Sequence, residues 1–315
     1  MNVSLERIKD AVMALEEPAW VEGTTQPFSI SIAGEAAPAH PARWLAERSE
    51  PAPFGHRQET KLDEKVRSTL RVKARGNAKV SLDLAPILYR VESGLSASAY
   101  LEATLLDVLV YPTGGRFLRH KDTPRTPQQL GTLIVEVPCA HEGGVMTLDD
   151  HQAQLEVDWS TPAAQPRWIA LFGDVDHEIG AVTSGHRITV VYTLALTDRP
   201  RTDLTLAAKK ATLHDAIIAY EPDPQTVPML FVACTRMVNA PAHGEMTIDV
   251  LRGVDRTIAE AFVECGFPIS VREVLITGGD DNAGIPTGFW SVYPLKKPIP
   301  PELLAVSQLS FEDDA

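Results

Sequence analysis

Two histidines and a carboxylate carry the first chemical signal in this chain. His120 and Asp122 are separated by one residue, and His177 comes much later, followed by Arg187. Two imidazoles and a carboxylate can occupy one face of an octahedral ion and leave three positions open, the donor set of non-haem iron(II) centres. Side chains two apart on a strand point the same way, so His120 and Asp122 can converge on one ion. His177 must then come from a second strand that meets the first only in the fold. Arg187 offers a planar fork of donors suited to a carboxylate. Asp174 and Asp176 flank His177, and Asp174 reads as a turn residue closing a strand. His141, His151 and His186 read as exposed or as lying behind the ligands, and His186 should point away from its neighbour Arg187 because strand residues alternate.

The elements that must position these groups are mostly strands. Leu105 to Val110 leads into Tyr111-Pro112, and Thr113-Gly114-Gly115 signals a turn. Thr123 to Pro127 reads as a loop, Gly131 to Val137 as a strand, and His141-Glu142-Gly143-Gly144 as a turn. Val145 to Leu148, Trp168 to Phe172 and Arg187 to Leu194 are further β-forming runs. A turn at Thr183-Ser184-Gly185 would return Arg187 toward the histidines. Many short strands between Gly, Pro and Asp turns predict a double-sheet jelly roll. Before it, the spacing of Leu5, Ile8, Val12 and Leu15 predicts a helix over 4–15 with Ser4 as its cap, and 28–32 alternates as a strand. The stretch 36–53 reads as irregular with one short helical turn, and 79–91 as mixed and apolar. After Pro200 the pattern changes: helices over 204–220 and 254–267, and strands over 229–233 and 269–276. Lys210 interrupts the apolar stripe of the first of these helices. The last residues, 311–315, form an acidic tail.

The chain has 315 residues and a formal net charge of −13, which gives no general attraction to nucleic acid or to an anionic membrane. No apolar run approaches the roughly 18 residues that span a bilayer, and the N-terminus shows no secretory signal. Cys139, Cys234 and Cys265 are far apart and odd in number, which suits a reducing cytoplasm, and they read as small buried apolar groups. Residues 57–75 form a basic island in this acidic chain. It reads as a solvated face or as a rim that attracts an anionic substrate or cosubstrate.

Tyr111-Pro112 with Gly115, Phe117, His120 and Asp122 resembles the first metal motif of the Fe(II)/2-oxoglutarate dioxygenases, in their prolyl 4-hydroxylase-like branch. His141-Glu142-Gly143-Gly144 sits where that branch often has a Gly-Gly turn. Trp168, Phe172, Asp174 and His177-Glu178-Ile179 resemble the second motif, and Ser184 to Val190 the third. The resemblance covers about residues 100–200. It implies a double-stranded β-helix with iron at its open end, held by His120, Asp122 and His177. It implies 2-oxoglutarate on the iron with its distal carboxylate on Arg187, Tyr111 as a hydroxyl donor to it, and Thr132 or Thr189 as a further hydroxyl. Dioxygen would take the last position, and ascorbate would serve as reductant. The products would be succinate, carbon dioxide and a substrate hydroxylated at C–H, either a peptidyl prolyl residue or a small molecule. The presence of Asp122 speaks against a halogenase. The flanks, from Phe54 to Arg67, Leu251 to Asp255 and Phe289 to Pro294, resemble those of uncharacterised microbial and fungal members and name no substrate.

The expected architecture is mainly β with α/β flanks: an N-terminal flank over 1–97 packing on the core, a jelly-roll core over 98–200, and a C-terminal α/β extension over 201–315. Two other functions compete. One is a cupin-like metal-binding or sensing module without turnover, which needs the triad but not 2-oxoglutarate; Arg187 and Tyr111 favour the enzyme. The other makes the C-terminal extension an interaction domain regulated by the oxygenase.

Overall fold

The computed structural model describes residues 3–15, 17–56, 59–74, 78–95, 97–122, 126, 128–150, 153–161, 163–220, 231–234, 247–275 and 286–292. Expectations placed on Arg57, Arg75, His151, the loop at 123–125, Met229-Leu230 and the tail at 311–315 fall outside these residues. Two compact units divide the chain: Pro18–Arg201, and Met1–Glu17 together with Thr202–Ala315. Among the described residues no helix is long and apolar enough to cross a membrane.

The first unit is mainly β and its sheets are antiparallel. In chain order it holds β1 (Trp20–Thr24), β2 (Ser29–Ile32), β3 (Glu35–Ala36), helix α2 (Ala42–Ala46), β4 (Glu50–Pro51), β5 (Phe54–His56), β6 (Glu59–Lys61), β7 (Arg67–Ser68), β8 (Leu70–Lys73), β9 (Ala78–Ser81) and helix α3 (Ala85–Gly94). There follow β10 (Ala99–Pro112), β11 (Arg116–His120), β12 (Gln129–Glu136), β13 (His141–Gly143), β14 (Met146–Asp149), β15 (Gln154–Val157), β16 (Arg167–Phe172), β17 (Asp176–Ile179) and β18 (Val182–Pro200). The larger sheet runs β1-β16-β12-β18-β10-β8-β4, with β13 also on β18; the smaller runs β15-β14-β17-β11-β7.

The register of the larger sheet sorts its side chains into two faces. Leu133, Val135, Trp168, Ala170, Phe172, Val190 and Tyr192 share one face and are buried. Helix α3 packs on that side: Arg90 lies over the Trp168 ring at 5.3 Å, and the Trp168 indole donates to the Thr24 carbonyl. Thr132, Ile134 and Glu136 of β12 share the opposite face with Leu171, Ile169 and Arg167 of β16, with Arg187, Thr189, Val191 and Thr193 of β18, and with Tyr111 and Leu109 of β10. One face is thus apolar and the other carries threonines and charges.

Several elements differ from the sequence reading. The stretch 79–91 resolves into β9 and α3, a helix with a proline in its first turn, where the missing N–H is one that the helix leaves unpaired anyway. Strand β10 is 14 residues long, and the apolar run that announced it is only its end. The turn expected at Thr183-Ser184-Gly185 is corrected. The chain reverses at Gly180-Ala181, and 183–185 lie within β18, where Gly185 and Ser184 pair with His141 and Glu142. Three members of the basic island are engaged within the chain. Arg71 and Lys73 pair with Glu50, and Arg67 lies 4.4 Å over the Phe117 ring and donates to the Pro53 carbonyl.

The second unit holds α1 (Val3–Met13), α4 (Leu204–Ile218), β19 (Phe231–Cys234), a 3-10 turn at Ile248–Val250, α5 (Gly253–Glu264), β20 (Ile269–Leu275) and β21 (Pro286–Val292), with the three strands in the order β19-β21-β20. Ile8, Ala11 and Leu15 pack with Leu213, Ala216 and Ile217 of α4 and with Ile258 and Phe262 of α5. Lys210, which breaks the α4 stripe, pairs with Glu260 and Glu264 of α5. Asp203 caps α4 by accepting from the amides of Thr205 and Leu206.

Gly131, buried at the start of β12, faces the Leu171 carbonyl so closely that an added Cβ would overlap its oxygen. Gly131→Ala must push β16 away and is expected to lower stability by about 1–3 kcal/mol, as overpacked cores do. Urea unfolding should show a lower midpoint with an unchanged slope.

Candidate metal centre

The smaller sheet brings the two histidines together. β11 and β17 are antiparallel, and His120 lies directly opposite His177, with ring centroids 4.2 Å apart. Asp122 follows the end of β11, and its Oδ1 lies 3.9 Å from His177 Nε2. Each of the three offers one ligand atom, and these atoms all lie within 4.8 Å of one another.

The rings are oriented by the backbone. His120 Nδ1 is 2.8 Å from the Leu118 carbonyl and His177 Nδ1 is 3.0 Å from the Val175 carbonyl. A carbonyl only accepts, so each Nδ1 carries the proton and each Nε2 keeps its lone pair, as a ligating histidine requires. Burial first, and then neighbouring His177, hold the His120 imidazole well below the usual histidine range, so it stays in the neutral form that binds metals. Phe117 stacks on His120 at 3.5 Å and fixes its other face. Asp176 is on the opposite side of β17 from His177 and pairs with Arg119 and Lys121, so its carboxylate is engaged outside the triad.

Asp122 also ties the two sheets to each other. Its Oδ2 accepts from the Thr132 hydroxyl of β12. The polar face of the larger sheet therefore looks at the triad, and Arg187 belongs to that face. Arg187 is 2 % exposed, and its Nη2 is buried without a hydrogen-bond partner. Its guanidinium lies 5.4 Å from the ring of Tyr111, its direct cross-strand partner, and 5.3 Å from the ring of Trp159. Gly144, at φ 67°, packs on the stem of Arg187, where a Cβ would come within 3.0 Å of Arg187 Cδ. Burial lowers the Arg187 pKa, partly offset by Tyr111 and Glu136.

The donor set passes the test of fit for a divalent ion such as Fe(II): two imidazoles, each with Nδ1 on a backbone carbonyl and Nε2 toward the site, and a carboxylate. The orphaned Nη2 passes the same test for a carboxylate, since a buried donor without a partner is costly until one arrives. Arg187 is offset along the strands from Thr132, so a ligand reaching both the triad and the guanidinium must be elongated with an anionic far end.

The structure thus brings together His120, Asp122 and His177, and puts Arg187 beside Tyr111. Thr132, expected to meet a cosubstrate, is engaged with Asp122. Thr189 is buried on the Arg187 face and His186 is half-buried, next to Arg187 and alternating with it. His141, expected to be exposed or behind the ligands, is buried. Its Nδ1 donates to the Cys139 carbonyl at 2.9 Å, and its Nε2 has no partner. Cys139 is half-buried, which pushes its thiol up. Trp159, Glu136 and Arg167 were missed, and Gly144 was read only as part of a turn. A glutamate inside the apolar run from Gly131 to Val137 is itself a signal that a cation waits across the sheet.

No protein-family model matches the chain, and no curated protein matches it. Among solved structures, the chain is similar to a prolyl-4-hydroxylase from Pseudomonas putida, at 17% identity over 62% of this chain and 100% of that one, TM-score 0.36. It is also similar to an oxidoreductase of the 2OG-Fe(II) oxygenase family from Burkholderia pseudomallei, at 15% identity over 61% and 92%, TM-score 0.35. A third likeness is to a viral collagen prolyl hydroxylase from Paramecium Bursaria Chlorella virus-1, at 16% identity over 42% and 81%, TM-score 0.30. Likenesses this distant carry no functional argument, and the functional reading rests on the side chains described above.

If the triad binds metal, His177→Ala removes one of three donors and is expected to abolish stoichiometric Fe(II) binding at neutral pH. Asp176→Asn, next along the strand but facing away, removes no donor and should leave stoichiometric binding in place. Anaerobic equilibrium dialysis reads both.

Proposed function

We propose that this chain is an Fe(II)- and 2-oxoglutarate-dependent dioxygenase with a double-stranded β-helix core, hydroxylating a C–H bond of an organic or peptide substrate. The observation that carries the reading is Arg187: a buried guanidinium with an unpartnered nitrogen, on the sheet face that Thr132 turns toward Asp122. A bare metal module has no use for such a cation, whereas a dicarboxylate cosubstrate that must reach the metal does.

Iron(II), when bound, supplies the activation of dioxygen and of 2-oxoglutarate that side chains cannot perform. The chain binds, orients and excludes. His120 and His177 present Nε2 because their Nδ1–H groups are held by backbone carbonyls. Thr132 fixes the Asp122 carboxylate, leaving Oδ1 toward the histidines. Arg187 takes the distal carboxylate of 2-oxoglutarate as a fork, and the carboxylate that remains on succinate is released from the same place. Tyr111 lies against that guanidinium and offers a phenol to the cosubstrate. Ile134, Leu171 and Val191 share this face and keep it dry, which strengthens every charge interaction within it.

Arg187→Leu removes the fork but none of the metal donors. It is expected to weaken 2-oxoglutarate by on the order of 2–5 kcal/mol, as when a buried charge pair loses one member. Fe(II) binding should persist. Anaerobic titration of 2-oxoglutarate into the Fe(II) protein, followed by the metal-to-ligand charge-transfer band, measures it. No band in the parent protein, or equal affinity in the variant, would remove the reading.

A further inference from the structure

Arg187 has a carboxylate of the chain within reach. Glu136 on β12 is the direct cross-strand partner of Thr189, and Arg187 lies two residues along β18 on the same face. Such diagonal neighbours sit about 7–8 Å apart at the backbone, a gap that two long side chains close easily. Glu136 is 5 % exposed, so its charge has little water to satisfy it. On these grounds alone an internal Glu136–Arg187 ion pair would form and close the anion site.

It does not form because Arg167 holds Glu136 first. Arg167 Nε donates to Glu136 Oε2 at 2.7 Å and Arg167 Nη2 to Oε1 at 2.7 Å, a two-pronged pair that uses both oxygens. The Arg167 backbone amide also donates to Oε2, at 3.1 Å. The guanidinium of Arg167 is anchored in turn by the carbonyls of Trp159 at 2.8 Å and Thr161 at 2.9 Å. These bonds hold the segment after β15 that sets the Trp159 ring against Arg187. One arginine thus removes the competing anion and seats the aromatic wall.

We propose that Arg167 is a positioning residue for the anion site: by occupying both oxygens of Glu136 it keeps that carboxylate off Arg187 and leaves the buried guanidinium to an incoming carboxylate. The proposal rests on the dioxygenase reading for the identity of that carboxylate, the distal end of 2-oxoglutarate. Without Arg167, Glu136 turns to Arg187 or repels the ligand, and both effects depend on its negative charge.

The test is calorimetric titration of 2-oxoglutarate into the anaerobic Fe(II) protein, with Fe(II) affinity measured separately. Arg167→Met is expected to weaken 2-oxoglutarate by about tenfold or more and to leave Fe(II) affinity within about twofold, and adding Glu136→Gln to it should recover most of the loss, a coupling of the size seen between contacting charges. A merely structural role would make the second substitution add to the damage. Arg167→Lys keeps the charge but not the fork; it is expected to lose affinity in the same direction, also reversed by Glu136→Gln, and it carries the test where the methionine variant does not fold. Unchanged affinity in the single variants, or double variants as weak as the singles, overturns the proposal. A parent protein that binds Fe(II) but no 2-oxoglutarate overturns the dioxygenase reading itself.

Discussion

A guanidinium that is 2 % exposed with a nitrogen lacking any partner is the constraint around which this site is arranged. Burial strips Arg187 of water, and low polarity makes an unmatched charge costly. The chain answers in part. Tyr111 and Trp159 set aromatic rings near the cation, and Gly144 leaves room for its stem. Rings soften a buried cation but do not accept its N–H groups. The remaining demand is for an anion, and the carboxylate best placed to meet it, Glu136, is held by Arg167.

The candidate metal triad depends on a different kind of order. Strands β11 and β17 pair so that two histidines face each other, which is a register effect: a slip by one residue would put Asp176 or Glu178 in place of His177. The outward residues help to fix that register, since Arg119 bridges Asp149 of β14 and Asp176 of β17. Backbone carbonyls then set the tautomer of both rings. The Thr132–Asp122 bond joins this small sheet to the larger one, so that triad and guanidinium look onto a common interior.

The two faces of the larger sheet divide the labour between folding and chemistry. Leucine, valine and tryptophan on one side pack under α3, and Ile134, Ile169, Leu171 and Val191 add apolar burial on the other. On the other side Thr132 meets Asp122 and Glu136 meets Arg167, while Arg187 keeps a nitrogen without a partner, which makes that face specific rather than merely stable.

Much of the site was legible in the sequence. His-x-Asp at a strand end and a distant His suggest a metal set by residue type, and the structure brings the three within 4.8 Å of one another; the β-forming runs around them name a mainly β chain. The sequence could also say that His120 and Asp122 lie close together, because they are two residues apart, although Asp122 lies just past the end of β11. It could not say that the chain turns at Gly180-Ala181 rather than at 183–185, because both are plausible turns and only the pairing of β13 with β18 draws Ser184 and Gly185 into a strand. Nor could it divide the work among Thr132, Glu136 and Arg167. Their partners lie on other strands, and which carboxylate meets which cation is decided by register and by competition between neighbours at close range. Residue type set what each side chain could bind, and tertiary packing decided which of them was left with a donor to offer.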